Sequence, residues 1–166
     1  MKKLIAILMT LVIAFAICSC GNKDKYADNT TVVLTNTSDN KNITIKFEHK
    51  GDGITKLSQK EIISFDSLGV GNAMDAQALL EPKIAMIPTI DGYENKITVK
   101  DDHVEETVDI DFKKIDSDKI NEIPGLNFVG DAKDTISLEE TIKELKKSGF
   151  KEVDEKKINL FQAFGS

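Results

Sequence analysis

The chain has 166 residues, a formal net charge of −6 and 30% charged side chains, and all 22 of its basic residues are lysines. An acidic chain without arginine lacks the basic patch that nucleic acid requires, so we expect no nucleic-acid partner. It also lacks the planar guanidinium group that is best suited to clamping carboxylates and phosphates.

The first nineteen residues have the layout of a secretory signal. Lys2 and Lys3 precede an apolar run over residues 4–17, which only Thr10 interrupts. Fourteen residues span roughly 21 Å as a helix, whereas the hydrocarbon core of a bilayer is roughly 30 Å thick. The pattern therefore predicts a cleaved signal peptide over residues 1–19 and no membrane-spanning helix there.

The end of this segment resembles the bacterial lipobox. In Ile17-Cys18-Ser19-Cys20, the small Ser19 precedes Cys20, whereas the bulky Ile17 makes Cys18 a poor cleavage position. The resemblance implies a diacylglyceryl group on the Cys20 thiol, further acylation such as palmitate, and cleavage before Cys20. Two acyl chains suffice for stable anchoring, where one is marginal. The alternative is an ordinary signal peptide with two incidental cysteines.

Cleavage before Cys20 fixes what the mature chain contains. It leaves 166 − 19 = 147 residues, enough for one domain, and no free thiol. Disulfides, thiolate metal sites and cysteine nucleophiles are then excluded. The protein is expected outside the cytoplasm, lipid-anchored to the cell membrane, or to the outer membrane if the source is Gram-negative. Residues 20–29 would form the lipidated cysteine and a polar, flexible tether.

The first half of the domain alternates between strand and helix signals. Strands are predicted over residues 30–37, 42–50 and 54–65, and the second of these alternates cleanly between apolar and polar side chains. Asn72 is predicted to cap a helix that Pro82 kinks or restarts. The apolar side of that helix is expected to consist of Met74, Leu79, Leu80, Ile84 and Ile87.

The second half continues with strands over residues 96–100 and 104–112, a short helix over 115–123 and a brief extended piece over 126–129. Ser137 and Glu140 form a capping box for a last helix, which Gly149 ends. Together these elements predict an α+β fold: an antiparallel sheet of about five strands, covered on one face by two main helices. The domain is expected over residues 30–153, with a C-terminal extension over 154–166.

Several segments, in this order, resemble the YehR-like bacterial lipoprotein family. The similarity covers roughly residues 42–153, with the lipobox in front. It implies a small α+β extracytoplasmic domain and no particular activity, and the tail after Val153 departs from the pattern. The segments that carry the resemblance are Lys46-Phe47-Glu48-His49-Lys50-Gly51-Asp52, Leu79-Leu80-Glu81-Pro82, Gly92-Tyr93-Glu94, Thr107-Val108-Asp109-Ile110-Asp111-Phe112-Lys113-Lys114-Ile115-Asp116 and Ser148-Gly149-Phe150-Lys151-Glu152-Val153.

Three carboxylates, Glu105, Asp109 and Asp111, share the outward face of the predicted strand 104–112. One hypothesis is a site for a hard cation, since calcium prefers carboxylate and carbonyl oxygens. The alternative is the solvated face of a sheet that is covered on one side only. No EF-hand spacing occurs in the chain.

The two histidines are 54 positions apart, at His49 and His103. The position of His49 in its strand predicts an inward-facing structural residue, and His103 is expected to be exposed in a turn. A zinc site would need three or four converging ligands, so neither histidine is predicted to bind metal.

No sequence motif predicts catalysis. Ser117-Asp118-Lys119 and Ser58-Gln59-Lys60 do not match known nucleophile signatures. Gly69-Val70-Gly71 before a helix is compatible with anion binding, or with a simple strand-to-helix turn. No catalytic residue, cofactor or metal is therefore assigned, and lipidation at Cys20 is the only predicted site.

The sequence leaves three functions open. The first is a non-catalytic binding or interaction module at the membrane surface, which recognises a small ligand or an envelope protein. The second is a structural or assembly partner of another envelope protein, with the apolar tail residues Leu160, Phe161 and Phe164 exposed. The third is a hydrolytic enzyme, which a pocket of converging polar groups would support.

Overall fold

A computed structural model of the chain describes residues 13–15, 31–38, 41–116, 118–123, 126–128 and 136–154. The lipobox, Cys20, the predicted tether and the extension after Asp154 lie outside these residues. Among the described residues, no helix is long and apolar enough to cross a membrane.

The fold is α+β, and the described residues form one six-stranded antiparallel sheet and three α-helices. The first strand of the chain, β1 (Ile13–Phe15), lies outside that sheet and pairs in parallel with β7 (Leu126–Phe128). The strands of the main sheet are β2 (Thr31–Ser38), β3 (Lys41–Lys50), β4 (Gly53–Ser64), β5 (Tyr93–Val99), β6 (His103–Asp111) and β8 (Lys151–Val153), in the order β5-β6-β4-β3-β2-β8. The helices are α1 (Phe65–Leu68), α2 (Ala73–Ile84) and α3 (Leu138–Lys147), with a 3-10 turn over Ile120–Glu122.

The prediction of about five strands is wrong by one strand. The sixth is β8, which follows α3 and pairs antiparallel with β2. Three residues are too few to show an alternating pattern, and two of them, Lys151 and Glu152, are exposed. Only the return of the chain to β2 after α3 makes this segment a strand.

Two helix predictions need correction. The predicted helix over residues 115–123 is reduced to the 3-10 turn, because backbone bonds at Asp116 form a separate turn first. Pro82 was expected to kink the helix or to restart it; the helix does not restart there, because α2 runs continuously from Ala73 to Ile84 with Pro82 inside. Met74 was expected on the buried side of α2 but is 81% exposed.

The capping residues that the sequence indicated are in place. Asn72 accepts a hydrogen bond from the backbone N–H of Asp75 at 3.0 Å and starts α2. The Ser137 hydroxyl accepts one from the N–H of Glu140 at 3.3 Å and starts α3. Gly149, with a φ of 89°, follows the end of α3 in the left-handed conformation.

One face of the sheet, here called the covered face, carries the apolar core, and the opposite one is called the outer face. The core on the covered face consists of two clusters. The α3 cluster centres on Leu34, Ile45, Phe47, Leu57, Ile110, Leu138, Ile142 and Leu145. The α2 cluster consists of Ile63, Phe65, Leu68, Ala76, Leu80 and Val104.

Candidate functional site

An open cleft of about 590 Å³ lies where the loop before β5 meets the ends of β4 and β6. It brings together three segments that are far apart in sequence, because β4, β5 and β6 are neighbours in the sheet. The lining residues are Lys56, Leu57, Ser58, Thr89, Ile90, Asp91, Gly92, Tyr93, Glu94, Asp109, Ile110, Asp111 and Lys114.

Gly92 holds the loop against the turn that follows β6. Its φ is +80°, and a Cβ at this position would lie 2.8 Å from the Ile115 nitrogen and 2.9 Å from the Asp111 oxygen. The Gly92 carbonyl accepts a hydrogen bond from the N–H of Asp111 at 2.7 Å. Only glycine combines this conformation with so close an approach, so Gly92 shapes the wall of the cleft.

The cleft carries four carboxylates and two lysines. Asp109 accepts a hydrogen bond from the Ser58 hydroxyl at 2.5 Å, and Asp111 accepts one from the N–H of Lys113 at 3.0 Å. These two carboxylates are thus already bonded within the domain. The charged cleft residues whose side chains make no hydrogen bond or ion pair with the described part of the chain are Asp91, Glu94 and Lys114.

The structure does not bring Glu105 together with Asp109 and Asp111. Glu105 instead pairs with Lys60 at 3.0 Å and with Lys100 at 3.7 Å. The hydrogen bond from Lys60 is the main reason why the pKa of Glu105 lies below its usual value. This outer face is a solvated polar surface, and no group of three or more His, Cys, Asp or Glu side chains among the described residues is arranged to hold a metal ion.

The histidines occupy structural positions. His49 is 5% exposed, and its Nδ1 lies 2.8 Å from the Gly51 carbonyl oxygen in the turn between β3 and β4. His103 is half-buried, not exposed as expected, because its ring lies between Asp102 and Glu105, with Nδ1 2.5 Å from the Asp102 carboxylate. The two histidines lie at opposite ends of the sheet.

The glycine-rich segment before α2 is a turn between two helices. The sequence showed no sign of α1, which Gly69 ends with a φ of 70°. Asn72 then caps α2, so its side chain already uses one of the amides that an anion would need. The alternative that the sequence offered was a strand-to-helix turn; the segment is a turn that leads into α2, but it follows the short helix α1 and not a strand.

A row of polar side chains crosses the covered face between the two apolar clusters, and sequence reasoning missed it. We call this row the polar belt; it consists of Gln59, Glu61, Asn95 and Glu106, with Lys41 at its edge. Glu61 is 1% exposed, Glu106 2% and Gln59 6%. A signal was present, because Glu106 lies two residues from Val104 and from Val108 and so must face inward with them.

The two glutamates of the polar belt face each other across neighbouring strands, Glu61 on β4 and Glu106 on β6. The Lys41 Nζ atom lies 2.6 Å from Oε1 of Glu61. Asn95 on β5 donates a hydrogen bond to Oε1 of Glu106 at 2.9 Å. Burial raises the pKa of the neighbouring Tyr93, and the negative charge of Glu106 adds to that effect.

The fold defines a two-layer α+β domain with an antiparallel sheet, helices on one face and a small cleft at the sheet edge. The family model "Protein of unknown function (DUF1307)" matches residues 30–151. The chain therefore belongs to this family, the YehR-like lipoproteins of unknown function.

Lipoproteins from two bacterial genera are similar in sequence to this chain over nearly its whole length. The chain is 36% identical to an uncharacterised lipoprotein of Listeria monocytogenes, over 92% of this chain and 97% of that protein. It is 34% identical to the uncharacterised lipoprotein YehR of Escherichia coli, over the same shares. The NMR structure of E. coli YehR resembles the domain with a TM-score of 0.58 and 33% identity, over 74% of this chain and 89% of that one.

Proposed function

We propose that the protein is a lipid-anchored, extracytoplasmic binding module whose ligand docks in the cleft beside β5, and that it has no catalytic role. The lipobox residue Cys20 would carry the anchor, and the lipoprotein names of the relatives support that assignment. Residues 20–29 would act as the tether. The domain would then stand within reach of the membrane surface.

The cleft is the observation that carries the binding role. Its volume of about 590 Å³ falls in the range of roughly 300–1,000 Å³ that is usual for ligand sites. Ile90 and Tyr93 supply apolar surface, and exposed Asp91, Glu94 and Lys114 supply charges that make no ion pair with the described residues. This mixture suits recognition of a small polar ligand that carries a positive group and an apolar part.

The chemistry of the cleft supports binding without catalysis. The described residues that line it include no histidine and no cysteine. Its serine, Ser58, donates to Asp109, which is exposed, and no other described side chain bonds to Asp109 to act as a relay. A nucleophile needs an oriented base within hydrogen-bond reach, and we therefore place no reaction in this cleft.

Two variants test the anchor. Cys20→Ala should abolish membrane partition and lipid labelling, whereas Cys18→Ala should leave both unchanged. Globomycin, which blocks the lipoprotein signal peptidase, should cause the precursor to accumulate. A Cys20→Ala variant that still partitions with membranes, with no precursor under globomycin, would contradict the lipid anchor.

An NMR titration tests the cleft. The ¹⁵N-labelled full chain in detergent is titrated with the small-molecule fraction of a bacterial envelope extract, and saturable shifts should concentrate on the cleft amides. The double variant Asp91→Asn and Lys114→Ala should lose them, whereas Lys147→Ala on the exposed side of α3 should keep them. Shifts that never saturate, or that spare the cleft, would refute this site.

The alternative role as an assembly partner of another envelope protein is the second candidate. Met74 in the first turn of α2 and Met86, two residues beyond the end of α2, are 81% and 79% exposed. Each offers a separate apolar contact point for such a partner. A photo-crosslinker placed at either position in cells should capture a discrete protein band, and recovery of free monomer alone would count against this role.

A further inference from the structure

The polar belt contains oxygen atoms whose hydrogen-bonding capacity is unused. Oε2 of Glu61 and Oδ1 of Asn95 are fully buried and accept no hydrogen bond from the described residues. Gln59, on the same face of the sheet, is 6% exposed. Leaving a buried polar atom unsatisfied costs about 1–3 kcal/mol, so these atoms call for a ligand.

The register of the sheet brings these groups around one point. Glu106 pairs directly with Glu61 on β4, so their Cβ atoms lie roughly 4.5–5.5 Å apart. Gln59 and Asn95 both pair with Val108 from opposite sides, which places each of them diagonal to Glu106. Side chains of this length reach their diagonal neighbours, and Asn95 does so at 2.9 Å.

The chemistry of this set selects the ligand. The unused atoms include two acceptor oxygens, one from a carboxylate and one from an amide, and like charges directly opposite each other destabilise a sheet. A cation would bind the unused oxygens and would also reduce the repulsion between the two carboxylates. Calcium takes ligands from carboxylate and from Asn or Gln carbonyl oxygens, with site geometry that is flexible.

We propose that the polar belt binds one oxygen-seeking divalent cation of the calcium type, held by Glu61, Glu106, Asn95 and Gln59. The ion bridges β4, β5 and β6 on the covered face and reduces the repulsion between the two opposed carboxylates. The Lys41 Nζ atom lies 2.6 Å from Oε1 of Glu61, and 28% of the Lys41 side chain is exposed, so this ammonium group can move outward when the ion binds. This proposal concerns the covered face and is independent of the cleft.

Calorimetry on the full chain in detergent, freed of metal with EDTA, tests the proposal with CaCl₂ as the probe. We expect one ion per chain with a Kd on the order of 10⁻⁴–10⁻³ M, the range of extracellular calcium modules. The isosteric variants Glu61→Gln and Glu106→Gln should each raise the Kd at least ~10-fold, which corresponds to a loss of roughly 1.4 kcal/mol of binding free energy. Asp109→Asn on the outer face is the matched control and should bind as the wild type does.

Lys41→Met separates a cation site from a purely structural ion pair. Loss of the competing ammonium should strengthen calcium binding severalfold if the polar belt is a cation site. Terbium bound in place of calcium provides a second readout, because Tyr93 lies beside Asn95 and should sensitise terbium luminescence. Tyr93→Phe should remove that luminescence, whereas the heat of calcium binding should persist. Folding of each variant is checked by circular dichroism.

Two results would overturn the proposal. One is the absence of saturable heat in folded wild type with Ca²⁺ and with Mg²⁺ up to roughly 10 mM, well above the expected Kd. The other is binding that Asp109→Asn abolishes and Glu106→Gln leaves intact, which would place the ion on the outer face.

Discussion

The ion pair between Lys41 and Glu61 offers the sharpest test of the structure of the polar belt. Its atoms are 2.6 Å apart, and the Glu61 side chain is 1% exposed. Removing one partner of a buried pair costs roughly 3–5 kcal/mol, because the other charge stays buried without compensation. Lys41 keeps 28% of its side-chain surface in solvent, so we expect the lower figure, about 3 kcal/mol, for Lys41→Met.

A double variant gives the opposite result. Replacing both partners, as Lys41→Met with Glu61→Leu, should be neutral or stabilising, because no charge is then left buried. A matched surface control is Lys56→Met, which breaks the pair with Glu48 at 3.3 Å, where both side chains are about half exposed. Exposed pairs contribute only about 0–1 kcal/mol.

Urea unfolding in EDTA, followed by circular dichroism because the chain has no tryptophan, measures all three variants. With an m-value of about 1.5 kcal/mol/M, a loss of 3 kcal/mol lowers the midpoint by about 2 M. If Lys41→Met cost no more than Lys56→Met, water would have to reach Glu61 and the burial of the polar belt would be refuted. If the double variant were as unstable as Lys41→Met, the buried charge of Glu61 would not be the cause of the loss.

Three further predictions concern local structure. Ser137→Ala removes the cap of α3 and should cost about 1 kcal/mol in urea unfolding; no loss would mean that the cap at 3.3 Å contributes nothing. Gly92→Ala should destabilise the protein more than Gly51→Ala does. Gly51 has a φ of +60° and open space around it, so its substitution costs only the roughly 1–2 kcal/mol of the left-handed conformation, whereas the Cβ at Gly92 also clashes with neighbouring atoms. Equal losses of stability would contradict the close approach at Gly92. Burial raises the pKa of Tyr93 above 10.0, so the folded state holds this proton longer than the unfolded chain does, and the associated stability, present below pH 10, is lost as pH rises through the folded pKa. Alkaline absorbance titration should show one of the two tyrosines ionising late, and Tyr93→Phe should remove that step.

The sequence predicted the elements whose pattern is local. Ile43, Ile45 and Phe47 alternate along β3 because one face of that strand is covered, and the capping box at Ser137 marked the start of α3. The poor alternation of β4 has a physical cause in the structure, since Gln59 and Glu61 occupy covered positions that apolar residues usually fill.

The candidate sites depended on contacts that are not local. The cleft joins Ser58, Tyr93 and Asp111, which meet only because β4, β5 and β6 pair in register. The alternation of β6 indicates that Glu106 faces the covered side, but that Glu106 lies opposite Glu61 follows only from the pairing of β4 with β6. The carboxylates that sequence reasoning selected, Asp109 and Asp111, were correctly assigned to one face but do not converge with Glu105 there.

The division of the core by the polar belt has a consequence for motion. Among the described residues, the α2 cluster contains six buried side chains, whereas the α3 cluster contains sixteen. Regions with fewer buried apolar contacts open at lower free energy, so the amides of α2 should exchange with deuterium faster than those of α3. The loop over residues 85–92 leads from α2 directly into the cleft wall. A ligand in the cleft should therefore slow exchange in α2 more than in α3, and equal protection of both helices without ligand would show that the two clusters unfold as one.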